Sequence, residues 1–197
     1  MKKEDLIRKL EGKGFSEQII KAFEKVPREK FVPAEYQAYA YIDGPLPIGE
    51  GATISQPQTI AYMLEWLELK DEQKILEIGS GSGYVLALMN EIANDAEIIG
   101  LEINSSLVSK SKKVLKNSNI KIYQKSGFKG LPEKAPFDRI LVSATFAKKP
   151  EYLLNQLNDG GILLCPINSA IYKFVKKGET IKEEVYHGFA FVPMQEK

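Results

Sequence analysis

The stretch Glu77-Ile78-Gly79-Ser80-Gly81-Ser82-Gly83 sets a carboxylate two residues ahead of three glycines separated by single serines. Glycines at this spacing let a backbone turn sharply and lie against a ligand with no Cβ in between. The pattern is G-x-G-x-G, whereas a dinucleotide loop reads G-x-G-x-x-G. Glu77 points the same way, because a carboxylate repels a pyrophosphate and attracts a cation. The ligand implied has a positive end and no phosphate, as S-adenosylmethionine has, and a nicotinamide oxidoreductase is disfavoured. Glu102 follows Gly83 by 19 residues and can accept from both hydroxyls of an adenosine ribose. Ser126-Gly127 stands where such folds often meet the adenine amino group, with a hydroxyl in place of an acid.

A second constellation precedes the loop, in the segment GEGATISQPQ at residues 49–58. Thr53 and Ser55 offer hydroxyl donors. Ser55-x-x-Gln58 with Pro57 between them is also a capping-box pattern for the next helix. A cap contributes about 1 kcal/mol and would account for Ser55 without any substrate. The two roles are compatible.

The elements that must hold these groups follow from periodicity. Residues 3–11 and 16–25 read as short amphipathic helices, with Ser16 as a cap for the second. Val26 to Gly51, with four prolines and three tyrosines, reads as an ordered loop. A helix is expected from Pro57, then the strand QKILEIG. Alternation follows: helix at 84–93, strand at 97–101, helix at 105–115, strands at 120–123 and 138–143, helix at 150–157 and strand at 161–165. Such alternation predicts an α/β doubly wound, mainly parallel sheet covered on both faces. The tail IYKFVKKGETIKEEVYHGFAFVP has strand-like runs with turns at Lys177-Gly178 and His187-Gly188, so antiparallel strands should finish one edge.

Composition narrows the classes. The 27 basic and 26 acidic residues give a net charge of +1, so no whole-protein field favours nucleic acid or an anionic membrane. One Cys, Cys165, and one His, His187, allow no internal disulfide and disfavour a soft-ligand metal site. Cys165 sits in an apolar run and should be buried; His187 reads as a turn or strand residue. With no signal peptide and no long apolar run, the expectation is a cytoplasmic chain.

Taken in order, PLPIGEGATISQP, LEIGSGSGY, APFDRILVSA, QLNDGG and the final FVP resemble the protein-L-isoaspartate O-methyltransferases. The resemblance implies a class I methyltransferase fold with a seven-stranded sheet. It forms one domain over 1–197, whose N-terminal helical and loop segment, about 1–56, covers the active site. It implies methyl transfer from S-adenosylmethionine to the free α-carboxylate of L-isoaspartyl residues in damaged proteins, leaving S-adenosylhomocysteine and starting repair to aspartate. No metal, nucleic acid or membrane is expected, and the protein should be a monomer.

Carried over by position, Ser55 is the catalytic residue and Thr53, Ile54 and Ser55 bind substrate. Glu77, Gly79, Ser80, Gly81, Glu102, Ile103, Ser126 and Gly127 bind cofactor. The chain departs from the family at Lys125-Ser126-Gly127, where Gly-Asp-Gly is usual. It departs again at Val142-Ser143-Ala144-Thr145 in place of V-T-A-A, and at Pro166-Ile167-Asn168 in place of Pro-Val-Gly. These leave two alternatives open: a related methyltransferase with another substrate, or a cofactor-binding paralogue with reduced activity.

Overall fold

The computed structural model describes residues 1–116 and 118–195. Helices α1 (Lys3–Glu11) and α2 (Glu17–Lys25) turn Leu6, Ile7, Leu10, Ile19, Ile20 and Phe23 into the core. Ser16 occupies the N-cap position of α2 without capping it. Its hydroxyl and its N–H instead donate to Glu65 Oε2, at 2.9 and 3.0 Å. The cap is given up for a tie to a helix distant in sequence.

The segment expected to be loop holds more structure. Two 3₁₀ turns cover Arg28–Phe31 and Ala34–Tyr39. Strand β1 (Leu46–Gly49) then pairs antiparallel with β2 (Ala52–Ile54). Their two-residue loop has positive φ at both Glu50 (55°) and Gly51 (71°), the combination that matches strand twist in a tight hairpin.

Helix α3 (Pro57–Leu67) leads to β3 (Lys74–Ile78), α4 (Tyr84–Ile92), β4 (Glu97–Glu102), α5 (Ser105–Val114) and β5 (Lys121–Gln124). The chain then crosses to the other side of β3 with β6 (Phe137–Val142) and continues through α6 (Glu151–Leu154) to β7 (Leu157–Ile167), β8 (Ala170–Lys177) and β9 (Thr180–His187). The sheet order is β5-β4-β3-β6-β7-β8-β9, parallel as far as β7 and antiparallel over the last two pairings. This is the doubly wound, seven-stranded arrangement expected, with antiparallel strands at the C-terminal edge.

Strand residues alternate between two cores. Ile75, Ile98, Leu141 and Leu164 face the layer built from α1 to α5. Leu76, Ile99, Ile140, Leu163 and Cys165 face the layer with Phe137, Leu153 and Leu154. Burial on both faces explains why these strands read as continuous apolar runs.

Two helix and strand bounds differ from expectation. Helix α6 covers only four residues, and β7 begins already at Leu157. Gln156 ends the helix by turning its amide inward: Oε1 accepts from Leu131 N–H at 2.8 Å and Nε2 donates to Lys129 O at 2.8 Å. Asn168, at φ 53°, forms the tight β7–β8 turn, where Asn is the usual substitute for glycine. His187 ends β9, and no third tail strand follows among the described residues. Residues 188–195 cross back over the sheet, held by Thr145 N–H to Val192 O and Met194 N–H to Thr145 O, both 2.9 Å.

Candidate active site

The register Ile78↔Leu101 and Ile78↔Val142 brings the carboxyl ends of β3, β4 and β6 to one rim, where the strand order reverses. Gly79, Gly81 and Gly83 leave β3 with φ of 79°, 50° and 83°, which only glycine adopts at little cost. Gly79 and Ser80 N–H both donate to Leu101 O, at 2.8 and 3.0 Å, which ties the loop to the neighbouring strand. The sequence assigned Ser80 to the ligand, but its side chain is buried beside Gly100, where an added Cβ would lie 3.1 Å from Ser80 Oγ. Ser80 packs the loop onto the sheet and does not line the cleft.

Glu102 lines the cleft and is held by two backbone donors: Gly81 N–H to Oε2 at 2.9 Å and Asn104 N–H to Oε1 at 2.8 Å. Each oxygen keeps a second lone pair for a ligand hydroxyl. Glu77 is only 1% exposed and lies behind the cleft wall. Ser143 Oγ donates to its Oε1 at 2.8 Å, while Oε2 has no partner. Burial pushes the Glu77 carboxyl up to about 8; the Ser143 hydrogen bond opposes this and the Glu102 charge adds to it. A buried carboxylate oxygen without a donor is costly, and a cationic ligand group, directly or through water, would offset that cost. The residues present therefore fit a ligand with an ammonium and a ribose, as S-adenosylmethionine has.

Two adjoining clefts meet here. The first, about 310 Å³, is lined by Gly79, Gly81, Glu102, Ile103, Leu107 and Gly127 among others. Gly127 is required by space, since an added Cβ would sit 2.3 Å from Ile78 Cγ2. Ser126 is absent from this lining; its Oγ accepts from Phe128 N–H at 3.4 Å in a local turn. The second cleft, about 730 Å³, is lined by Ser55, Gln56, Gln58, Thr59, Tyr62 and Phe189 among others. Thr53, Ser143, Val192 and Pro193 line both. Ile54 is buried beneath them as packing.

Ser55 is not the cap of α3. The N-cap is Gln56, which makes no side-chain cap bond, and the half-buried Gln58 N–H, free of any partner within the helix, donates to Asp43 Oδ1 at 2.9 Å. Burial works against the Asp43 charge, but the Lys9 ammonium at 2.7 Å and the Gln58 N–H outweigh it and hold the carboxyl below its ordinary value. The Asp43 charge thus sits at the N-terminal end of α3. The Thr53 and Ser55 hydroxyls have no hydrogen-bond partner among the described residues, and both border the second cleft.

Three features around the clefts had no site role in the sequence: Asp43, Arg28 and the tail residues Val192-Pro193, the last present there only within the FVP motif. Arg28 is fully buried. It donates from Nε to Ala40 O (2.9 Å) and from Nη2 to Ser55 O (2.8 Å), and its guanidinium lies 5.0 Å from the Tyr84 ring centre. Burial pushes it down to about 10, against the opposing pull of Tyr84 and Asp43. Only a scan for charged residues embedded in apolar context, as in VPREKFVP, could have flagged it.

Comparison with known proteins agrees with this architecture. The sequence profile of the protein-L-isoaspartate(D-aspartate) O-methyltransferases spans residues 1–197. A protein-L-isoaspartate O-methyltransferase of Ignicoccus hospitalis is 39% identical, covering 100% of this chain and 98% of its own. One of Fervidobacterium nodosum is 43% identical, covering 96% and 100%. A solved protein-L-isoaspartate O-methyltransferase superposes with a TM-score of 0.90 at 28% identity, over 98% of this chain and 66% of that longer one. A Plasmodium falciparum structure described as such a methyltransferase, in complex with S-adenosyl-L-homocysteine, gives 0.84 at 27% identity, over 98% of both chains. With its sheet order, its glycine loop and a full-length match to relatives near 40% identity, the chain belongs to the protein-L-isoaspartate O-methyltransferase family.

Proposed function

We propose that the two adjoining clefts divide the family's reaction between them, cofactor in the first and isoaspartyl polypeptide in the second. The reaction is methyl transfer from S-adenosylmethionine to the free α-carboxylate of an L-isoaspartyl residue. The adjacent backbone amide nitrogen then attacks the ester carbonyl and expels methanol, giving a succinimide that water reopens in part as aspartate. The observation that carries this reading is the shared border: Thr53 and Ser143 line both clefts, so a group held in one faces a group held in the other.

When bound, S-adenosylmethionine supplies an electrophilic methyl group on a sulfonium. Glu102 accepts from the ribose hydroxyls with the lone pairs left free by Gly81 and Asn104. Glu77 meets the ammonium end through its unpartnered Oε2, and Ser143 holds the other oxygen. Gly79, Gly81 and Gly127 keep side chains out of the approach, and Ile103 adds an apolar wall. A substrate carboxylate is ionised at neutral pH, so this chain need not remove a proton. Its task is alignment. Thr53 and Ser55 donate to the carboxylate oxygens, and in-line placement at about 3 to 3.5 Å removes several kcal/mol of the barrier. Arg28 fixes the Ser55 backbone, so that the hydroxyl is presented by a rigid segment.

The N-terminal segment up to about residue 56 forms the substrate side of the site. A cytoplasmic monomer acting without metal, nucleic acid or membrane completes the reading. Its support is the lone buried thiol of Cys165, the near-zero net charge, and the lack of any long apolar helix among the described residues. The test uses labelled S-adenosylmethionine with matched isoaspartyl and aspartyl peptides. Base-labile label should appear on the isoaspartyl peptide alone; equal labelling of both, or of neither, would defeat the assignment.

A further inference from the structure

The charge of this chain is balanced in total and uneven in place. From Ile103 to Pro132 there are seven lysines and no Asp or Glu, so the remaining residues, with 26 acids against 20 bases, are net negative. Two of those lysines are neutralised, Lys121 by Glu97 at 2.9 Å and Lys125 by Glu133 at 2.5 Å. Lys110, Lys112, Lys113, Lys116 and Lys129 have no ion-pair partner among the described residues. Lysines in the last turn of α5 complement its dipole, which accounts for Lys112 and Lys113. It does not account for the lack of any acid over the rest of the segment.

Four of these lysines rim two apolar grooves. On one side of α5, Lys110 and Lys113 join Lys30 around Phe31, Ile48 and Val114, in a groove of about 320 Å³. On the other side, Lys112, Lys116 and Lys121 surround Leu115, Ile120 and Tyr123, in a groove of about 380 Å³. Val114 is 40% exposed and Tyr123 38%, so each groove has a large apolar group open to solvent. The 110/113 spacing places those two lysines on one ridge of α5, and Lys112 lies on the other side of the helix, with Lys116 in the turn just beyond its end. Leu107 lines both the first groove and the cofactor cleft, so this face borders the active site.

We propose that the outer face of α5 is a docking surface for acidic, apolar-containing segments of the polypeptide substrate. Unpaired ammonium groups with apolar slots on either side complement a chain that alternates carboxylates and aliphatic side chains. The cations here are all lysines, point charges without the planar fork that binds phosphate in two places, which favours flexible carboxylates over a nucleic acid backbone. A segment held there raises the local concentration of an isoaspartyl residue elsewhere in the same chain. The proposal rests on the polypeptide-substrate reading above and adds to it a preference for acidic flanks.

The test has two arms. In the first, isoaspartyl peptides carry no tail, a Glu/Leu tail or a matched Gln/Leu tail, and methylation is followed with labelled cofactor. At low salt the Glu/Leu tail should lower KM about tenfold with kcat unchanged, and salt at about 0.5 M should erase the gain because the charges are exposed. The K110Q/K112Q/K113Q/K116Q variant should lose the gain while treating the tail-free peptide as the native chain does. In the second arm, anisotropy of a labelled Glu/Leu peptide with no isoaspartate measures binding without chemistry, and the variant should bind it at least tenfold more weakly. If no peptide is methylated, the proposed function fails and the binding arm still decides the docking surface. An equal gain from the Gln/Leu tail, or undiminished binding by a folded variant, overturns the proposal. A single-stranded oligonucleotide that binds this face more tightly than the acidic peptide overturns it in favour of nucleic acid.

Discussion

Replacing Glu77 by Gln should stabilise the ligand-free protein and, in the same molecule, spoil cofactor binding. The carboxyl is pushed from 4.5 to about 8 by burial, so between those values folding takes up a proton. The folded state then binds more protons than the unfolded one, and stability falls as pH rises, by about 1.4 kcal/mol per unit. At pH 7 the accumulated cost is about 3 kcal/mol, and it is absent below pH 4.5. Gln removes this titration and still accepts from Ser143, but its amide N–H takes the place of the unpartnered Oε2, at a cost of about 1 kcal/mol. The net gain at pH 7 is about 2 kcal/mol, or roughly 4–8 °C in Tm for a chain of this size. It should grow toward pH 8 and change sign near about pH 5. Thermal melts of both proteins from pH 4.5 to 8.5 measure this directly, and the same melts with saturating S-adenosylhomocysteine should raise the native Tm well above that of the variant. A difference that does not vary with pH, or a variant stabilised by ligand as strongly as the native protein, would refute the reasoning.

Ser55→Ala should reduce kcat/KM for an isoaspartyl peptide on the order of 100-fold, as expected for losing one aligned donor, while calorimetry shows cofactor affinity unchanged. Unchanged turnover in a folded variant would remove Ser55 from the mechanism. Asp43→Ala leaves the Gln58 N–H without its acceptor and Lys9 without its partner, and should cost about 1–2 kcal/mol in urea unfolding. Gly127→Ala forces a Cβ to within 2.3 Å of Ile78 Cγ2, so the variant should bind cofactor poorly and melt several degrees lower; a native-like melt would show that the loop can move aside.

Local signals in the sequence reported local structure well. The glycine loop was legible because backbone turning and close approach leave their mark in residue type, and Gly79, Gly81 and Gly83 all have positive φ. Glu102 was legible because strand, loop and helix lengths fix its distance from that loop. The direction of the Ser80 side chain was not legible, because a residue type within a loop says nothing of where it points, and its hydroxyl lies beside Gly100. The cap of α3 was misassigned. Asp43 reaches Gln58 from 15 residues away, through a fold of the chain that no capping box encodes. Glu50-Gly51 hid a hairpin because Glu is an unusual residue at positive φ. The shortness of α6 depends on Gln156 turning its side chain toward Lys129 and Leu131, a contact only the folded chain supplies.

Arg28 has a consequence for how this fold can be recombined. Its guanidinium collects the carbonyls of Ala40 and Ser55 while resting on Tyr84, the first residue of the helix that follows the glycine loop. Residues of the N-terminal segment and of the nucleoside-side loop therefore share one keystone. A chimera that grafts residues 1–56 from a relative onto this sheet must bring a matched partner for position 84. Without one, it leaves the buried Tyr84 ring without the guanidinium that rests on it, and the carbonyls of positions 40 and 55 without their shared donor. Substrate range in this chain cannot be exchanged as a cassette, because the wall that would select the peptide is clamped to the helix behind the cofactor loop.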